Sequence, residues 1–167
     1  MEKNSIPYTV SRHTERSRYY MGGLWTFLAR GKDTNGAFAM MECHVRKGIE
    51  PPGHTHTFED EVYYLLEGEV HFAVGGQEHF LEAGDFIFLP KNIPHQFKVK
   101  SDTARFILQV TPAGLDDFFW ELSRPADTLE LPPLPAGPPP PELIERIKAL
   151  QKQYGIMGMD HSLIKTI

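Results

Sequence analysis

The sequence predicts an all-β sandwich or barrel followed by short C-terminal helices, and three observations carry that prediction. Between residues 24 and 110, short apolar and aromatic runs recur at roughly the 8–12-residue spacing of all-β folds. Glycine, proline and asparagine punctuate them, and no pattern of helical period interrupts them. A parallel sheet built from βαβ units is thereby excluded.

Taken in order, LWTFL (24–28) is the first strand. KDTNG (32–36) is a turn whose Asn35-Gly36 pair tolerates positive φ. AFAMMECHV (37–45) is rich in apolar residues on both faces. EVYYLL (61–66) and EVHFAV (69–74) flank Glu67-Gly68, and Gly75-Gly76 suits a two-residue hairpin into QEHFL (77–81). EAGD (82–85) turns into FIFLP (86–90), KNIP (91–94) turns into HQFKV (95–99), and ARFILQV (104–110) closes the series.

Beyond it, LDDFFWELS (115–123) is expected to form a short helix that packs Leu115, Phe118, Phe119 and Leu122 against the barrel. Residues 125–141 hold eight of the 14 prolines, so that stretch is extended. Pro140-Pro141-Glu142 starts a helix. Leu143, Ile147, Leu150 and Tyr154 share one of its faces, and Gly155 stops it. The expected division is a barrel with N-terminal strands over residues 1–112 (motif core 37–110), then residues 113–167 as helix, proline-rich arm and docked amphipathic helix. The final stretch, IMGMDHSLIKTI, either folds over the barrel mouth as a lid or stays disordered.

Composition narrows the function. At 167 residues the chain reads as one domain long enough for a real core. Its net charge of −5 argues against nucleic acid or an anionic membrane as partner. No apolar run approaches the ~20 residues of a membrane span, and the N-terminus lacks a secretory apolar stretch. With Cys43 alone no internal disulfide forms, and a cytoplasmic location is the default expectation. Any metal site must then use histidine and carboxylate ligands.

The stretch GHTHTFEDEVYYLLEG (53–68) supplies such ligands. His54 and His56, two apart in an extended segment, point to the same face about 7 Å apart along the strand. Two imidazoles and a carboxylate suit Fe, Mn, Co, Ni or Zn. Of the three carboxylates that follow, Glu61 heads a strand apolar on both faces, where a charge must be paired or metal-bound. Glu59 and Asp60 are expected in the preceding turn, in solvent. His95 follows Pro94 at the start of another strand, with Phe97 and Val99 on its face.

Together these residues resemble the two motifs of the cupin family. Gly48, His54-x-His56, Glu61 and Gly68 match the first motif at every position, and Gly84, Pro90 and His95 match the second. Asn92 stands where the family often has glycine, and Val99 where it often has asparagine. Asparagine tolerates positive φ, so Asn92 is an easy replacement in a turn. The resemblance covers roughly residues 24–112. It implies a cupin double-stranded β-helix, or jelly-roll barrel, with one divalent transition metal ion held by His54, His56, Glu61 and His95.

The segments GGLWTFLARGKDTNGAF, FIFLPKNIPHQF and AGLDDFFWEL further resemble the single-domain bacterial quercetinases. That resemblance implies a dioxygenase acting on a small aromatic substrate with O2. Glu61 would take the 3-hydroxyl proton of a flavonol such as quercetin, and cleavage would release carbon monoxide and a depside. It also implies a homodimer, formed through an exposed Leu24–Leu28 edge strand, the proline arm or the last helix. The alternatives are another cupin metalloenzyme, either an isomerase or a dioxygenase on a different substrate, and a non-catalytic small-ligand-binding cupin. The Phe, Tyr, Met, Leu and Ile around the motifs favour an apolar aromatic substrate over a sugar.

Other singled-out residues have plainer expectations. His44 either lines the cavity or is a hydrogen-bonded structural histidine. His71 and His79 are surface or packing residues, and His13 and His161 lie in the termini. Cys43 is a small buried residue rather than a nucleophile. Phe118-Phe119-Trp120 is core or interface or, on a second reading, one wall of an aromatic pocket.

Overall fold

Period-2 alternation builds the wall of the barrel. The computed structural model describes residues 6–11, 13–134, 137 and 139–158. A 3-10 turn at Thr14–Arg16 leads into β1 (Ser17–Tyr20), β2 (Gly23–Ala29) and β3 (Ala39–Arg46). Next come β4 (His54–His56), β5 (Asp60–Glu67), β6 (Glu69–Val74) and β7 (Gln77–Glu82). β8 (Phe86–Leu89), β9 (His95–Val99) and β10 (Thr103–Thr111) complete the barrel. The chain then forms α1 (Leu115–Glu121), β11 (Arg124–Pro125), α2 (Pro141–Gln153) and β12 (Ile156–Gly158). One sheet runs β11-β1-β2-β3-β10-β5-β8 and the other β12-β4-β9-β6-β7. All their pairings are antiparallel, and together they make a jelly-roll barrel.

The core follows from the alternation. Ala39, Met41, Cys43 and Val45 of β3 point inward, as do Ala104, Phe106, Leu108 and Val110 of β10. Burying each large side chain of this kind contributes about 1.5–3 kcal/mol. Tyr63 sits at the centre, its ring 5.1 Å from those of both Phe72 and Phe106. At Gly68, between β5 and β6, φ is 89° and an added Cβ would lie 2.4 Å from the Thr103 carbonyl, so only glycine fits.

One expectation for the strands needs correcting. Leu24–Leu28 is not an uncovered edge, because β2 is paired on both sides, with β1 and β3. The hairpin joining β1 to β2 turns on Met21 and Gly22, both at positive φ (49° and 85°). Methionine rarely adopts that conformation, which hid the turn and the strand before it. Of the C-terminal stretch IMGMDHSLIKTI, the structure describes the first three residues. Ile156–Gly158 is a strand paired with β4, whereas residues 159–167, His161 among them, lie outside the described residues.

Helix α1 seats Leu115, Phe118 and Phe119 in the core, with Leu122 only partly buried. Arg30 holds it there through Asp116 (3.4 Å) and Asp117. Past β11 the proline-rich arm lies along the outside of β1–β3. The Tyr19 hydroxyl accepts from the Thr128 amide (3.2 Å), and Arg46 donates to the Pro132 carbonyl. The arm then delivers α2 to the open end of the barrel. No helix among the described residues is long and apolar enough to cross a membrane.

Candidate metal centre

Four side chains from three strands meet at one end of the barrel. Alternation along β4 sends His54 and His56 the same way. The pairing of β4 with β9 sets His54 opposite His95, and Glu61 enters from the start of β5. The imidazole centroids stand 4.8 Å apart for His54–His56, 4.7 Å for His54–His95 and 5.4 Å for His56–His95. One ligand atom from each histidine lies within 4.8 Å of the others. Glu61 Oε2 lies 3.1 Å from His95 Nε2 and 3.7 Å from His56 Nε2. The structure therefore brings together all four residues that the spacing picked out.

The backbone orients two of the rings. His54 Nδ1–H donates to the Pro52 carbonyl (2.9 Å) and His95 Nδ1–H to that of Ile93 (3.1 Å), which leaves each Nε2 as an acceptor. Both nitrogens of His56, Nε2 of His95 and Oε2 of Glu61 are buried without a hydrogen bond. The His95–Glu61 approach is close but misses hydrogen-bond geometry. Orphaned buried acceptors are costly, and a divalent cation among them would satisfy several at once. The donor set fits a transition metal.

Electrostatics favour the same ligand state. Burial, followed by repulsion from His95 and His56, lowers the pKa of His54 to about 4. Burial also lowers that of His56. His95 is opposed by burial, but the neighbouring Glu61 carboxylate outweighs it and raises its pKa. Burial acts to raise Glu61, yet the histidines, His56 foremost, hold it down at about 2. An ionised carboxylate beside two imidazoles biased to the neutral form is close to the protonation state that metal binding needs.

The cluster opens into a cavity of about 350 Å³. Trp25, Tyr63, Phe97 and Phe106 wall it from the barrel, and Phe118 and Phe119 from α1. The aromatic segment after the barrel is thus both core and pocket wall. Trp120 does a separate job: it packs edge-on against Phe27, with the guanidinium groups of Arg18 and Arg30 4.2 Å and 3.9 Å from its ring centre.

Several other residues settle one way. His44 alternates with the inward-facing Cys43 and Val45, so it is not in the cavity wall. Cys43 is fully buried, and burial pushes its thiol pKa well up, which fits packing rather than nucleophilic chemistry. His71 is a packing residue stacked on Phe80, with centroids 4.0 Å apart. Glu59 departs from the expectation of solvent. It is 3% exposed, with Oε2 unpartnered, and burial, then Glu61, pushes its carboxyl up to about 7. The alternation that turns Glu61 inward turns Glu59 inward too, and Gly114 closes over it, where a Cβ would lie 3.3 Å from Oε1. Asp60 also departs from the expected turn: it is the first residue of β5, opposite Thr111 of β10, and its carboxylate accepts from the Lys91 amide (2.8 Å). Sequence reasoning missed the Arg30–Asp116 pair, whose members are 86 residues apart.

Residues 41–110 match the family described as cupin domain, and all four clustered residues fall inside that span. They form a cupin. Over 147 residues the chain is 29% identical to the quercetin 2,3-dioxygenase of Bacillus subtilis (strain 168). That match covers 87% of this chain and 43% of the relative, so the chain spans less than half the length of that curated protein. Among solved structures, KdgF from Halomonas sp. is similar with a TM-score of 0.57 at 16% identity, over 66% of this chain and 97% of its own. An RmlC-like cupin from Shewanella frigidimarina is similar with a TM-score of 0.51 at 28% identity, over 58% of this chain and 82% of its own. The first likeness is one of fold, and it leaves about a third of this chain outside the common barrel.

Proposed function

We propose that this cupin is a metal-dependent dioxygenase that cleaves a flavonol such as quercetin with O2. The observation that carries the reading is a three-histidine cluster with a buried carboxylate at the end of a cavity walled by aromatic rings. The match to a quercetin 2,3-dioxygenase supports it. In this reading His54, His56, His95 and Glu61 hold one divalent ion, with Mn, Fe, Co, Ni and Zn all compatible with the ligand set.

The ion, when bound, supplies Lewis acidity that lowers the pKa of a flavonol 3-hydroxyl. The protein's own groups do the rest. Trp25, Phe97, Phe106, Phe118 and Phe119 hold flat rings by apolar contact and keep water from the reacting oxygen. Glu61, ionised and without a directed hydrogen bond at Oε2, accepts the hydroxyl proton at that atom. The carbonyls of Pro52 and Ile93 keep His54 and His95 in the required tautomer throughout. Overall the flavonol and O2 yield a depside and carbon monoxide.

The test is aerobic turnover of quercetin by protein reloaded in turn with Mn, Fe, Co or Ni, beside His54→Ala and Glu61→Gln. Flavonol bleaching with matched oxygen uptake is expected with at least one ion and is lost in His54→Ala. Glu61→Gln should lose about 10²–10⁴-fold in kcat, the usual contribution of a positioned base. No turnover with any ion, in protein shown to bind metal, rejects the flavonol reading.

A further inference from the structure

The cavity is not finished by the barrel. Its open side is closed by the last described elements, α2 and β12, which reach back to the two-histidine strand. β12 pairs with β4 residue for residue: Ile156 with His56, Met157 with Thr55, Gly158 with His54. The Gly155 carbonyl accepts from both the amide (3.0 Å) and the hydroxyl (2.9 Å) of Thr57. Helix α2 is fastened to α1 by Arg146, which donates to the Glu121 carbonyl (2.8 Å), and by the Tyr154 hydroxyl on Glu121 Oε1 (2.8 Å).

What α2 does with its apolar residues is unusual. Leu150 is its one buried residue. Ile144 and Ile147 line the cavity instead, although Ile144 remains 37% exposed. One turn further on, Gln151 and the stem of Lys148, whose ammonium pairs with Glu145 (2.8 Å), add a polar edge to this wall. A helix that spends its hydrophobic face on a cavity rather than on the core contributes more to ligand shape than to folding.

We propose that α2 and β12 form the specificity-determining wall of this site, with Ile144 and Ile147 setting how large a ring system reaches the histidine cluster. As to ligand class, this deepens the flavonol reading and rests on it: the wall suits a linked aromatic ring system with polar substituents on its outer ring. The geometric claim, that α2 forms one wall of the cavity, stands apart from that reading.

The experiment uses the full chain in a Trp120→Phe background, so that Trp25 in the cavity wall is the remaining fluorophore. Acrylamide quenching of Trp25 should rise in Ile147→Ala and fall in Ile147→Phe. Opposite responses of this kind separate a wall from mere unfolding, and Lys152→Ala, on the exposed side of α2, should change neither. In metal-loaded protein, Ile147→Phe should raise the KM for quercetin about tenfold, the scale of a small steric change in a hydrophobic pocket. Ile144→Ala/Ile147→Ala should shift preference toward quercetin 7-O-glucoside by a similar factor. Quenching that ignores residue 147 overturns the proposal, and so does an opened cavity with unchanged discrimination between the two flavonols. If quenching tracks side-chain volume while neither flavonol binds the parent protein, the wall stands and the flavonol reading falls.

Discussion

The histidine cluster and the strap that closes it sit a few ångströms apart, yet they are built in different ways. The cluster rests on local chemistry: alternation along β4, two backbone carbonyls two residues upstream of their histidines, and a carboxylate heading the next strand. The strap rests on contacts across the chain, such as Thr57 with Gly155, 98 residues apart. Short-range patterns determine what the site is made of, and long-range contacts determine what reaches it. A region with two buried anchors, Leu150 and Ile156, should also open more readily than a barrel with a continuous core.

The largest effect should come from the joint between the two regions. Asp116 is 1% exposed, accepts from the Gly31 and Gly114 amides (3.1 Å each) and pairs with Arg30. Asp116→Ala leaves the Gly31 and Gly114 amides without their acceptor and Arg30 with only the exposed Asp117, and should destabilise the protein by about 3 kcal/mol, read from urea or thermal unfolding. A cost below about 1 kcal/mol would show that α1 is held by its aromatic packing alone.

Next comes the cluster itself. His56→Ala should weaken binding of a divalent ion by at least about 100-fold, more than outer hydrogen-bonding partners typically contribute, measured by titration calorimetry. The metal-free Tm should hold or rise, because two orphaned buried nitrogens disappear with the ring. A large fall in metal-free Tm would mean that His56 is a structural residue.

The smallest global effect should come from the strap. Gly155 has φ 64°, and a Cβ there would lie 2.3 Å from Thr57 Oγ1. Gly155→Ala should cost about 1–3 kcal/mol locally. Hydrogen exchange should therefore speed up at the β12 and β4 amides while the Tm moves little. If the global Tm fell in step, strap and barrel would be one cooperative unit, and the contrast drawn here would fail.

This division also explains what was legible in the sequence. β6 and β9 have the bounds expected from alternation, and all four cluster residues follow from spacing within one strand or just after a proline. Asn92 adopts the positive φ (64°) that its turn required. Glu59 was misplaced because three adjacent carboxylates look like a solvated turn, although the same alternation that buries Glu61 reaches it. β1, β11 and β12 left no signal, since strands of two to four residues form only because a partner is already there. The part α2 plays in the cavity was illegible for the same reason: nothing near Ile144 or Ile147 in sequence says that a cavity, rather than a core, faces them.

The most direct test of the account is the ratio of carbon monoxide released to oxygen consumed during quercetin turnover by the metal-loaded protein. Ring cleavage predicts one CO for each O2 and each flavonol lost, abolished together in His54→Ala. Flavonol loss without CO would mean simple oxidation of the substrate, and the proposal that this protein is a flavonol-cleaving dioxygenase would be wrong.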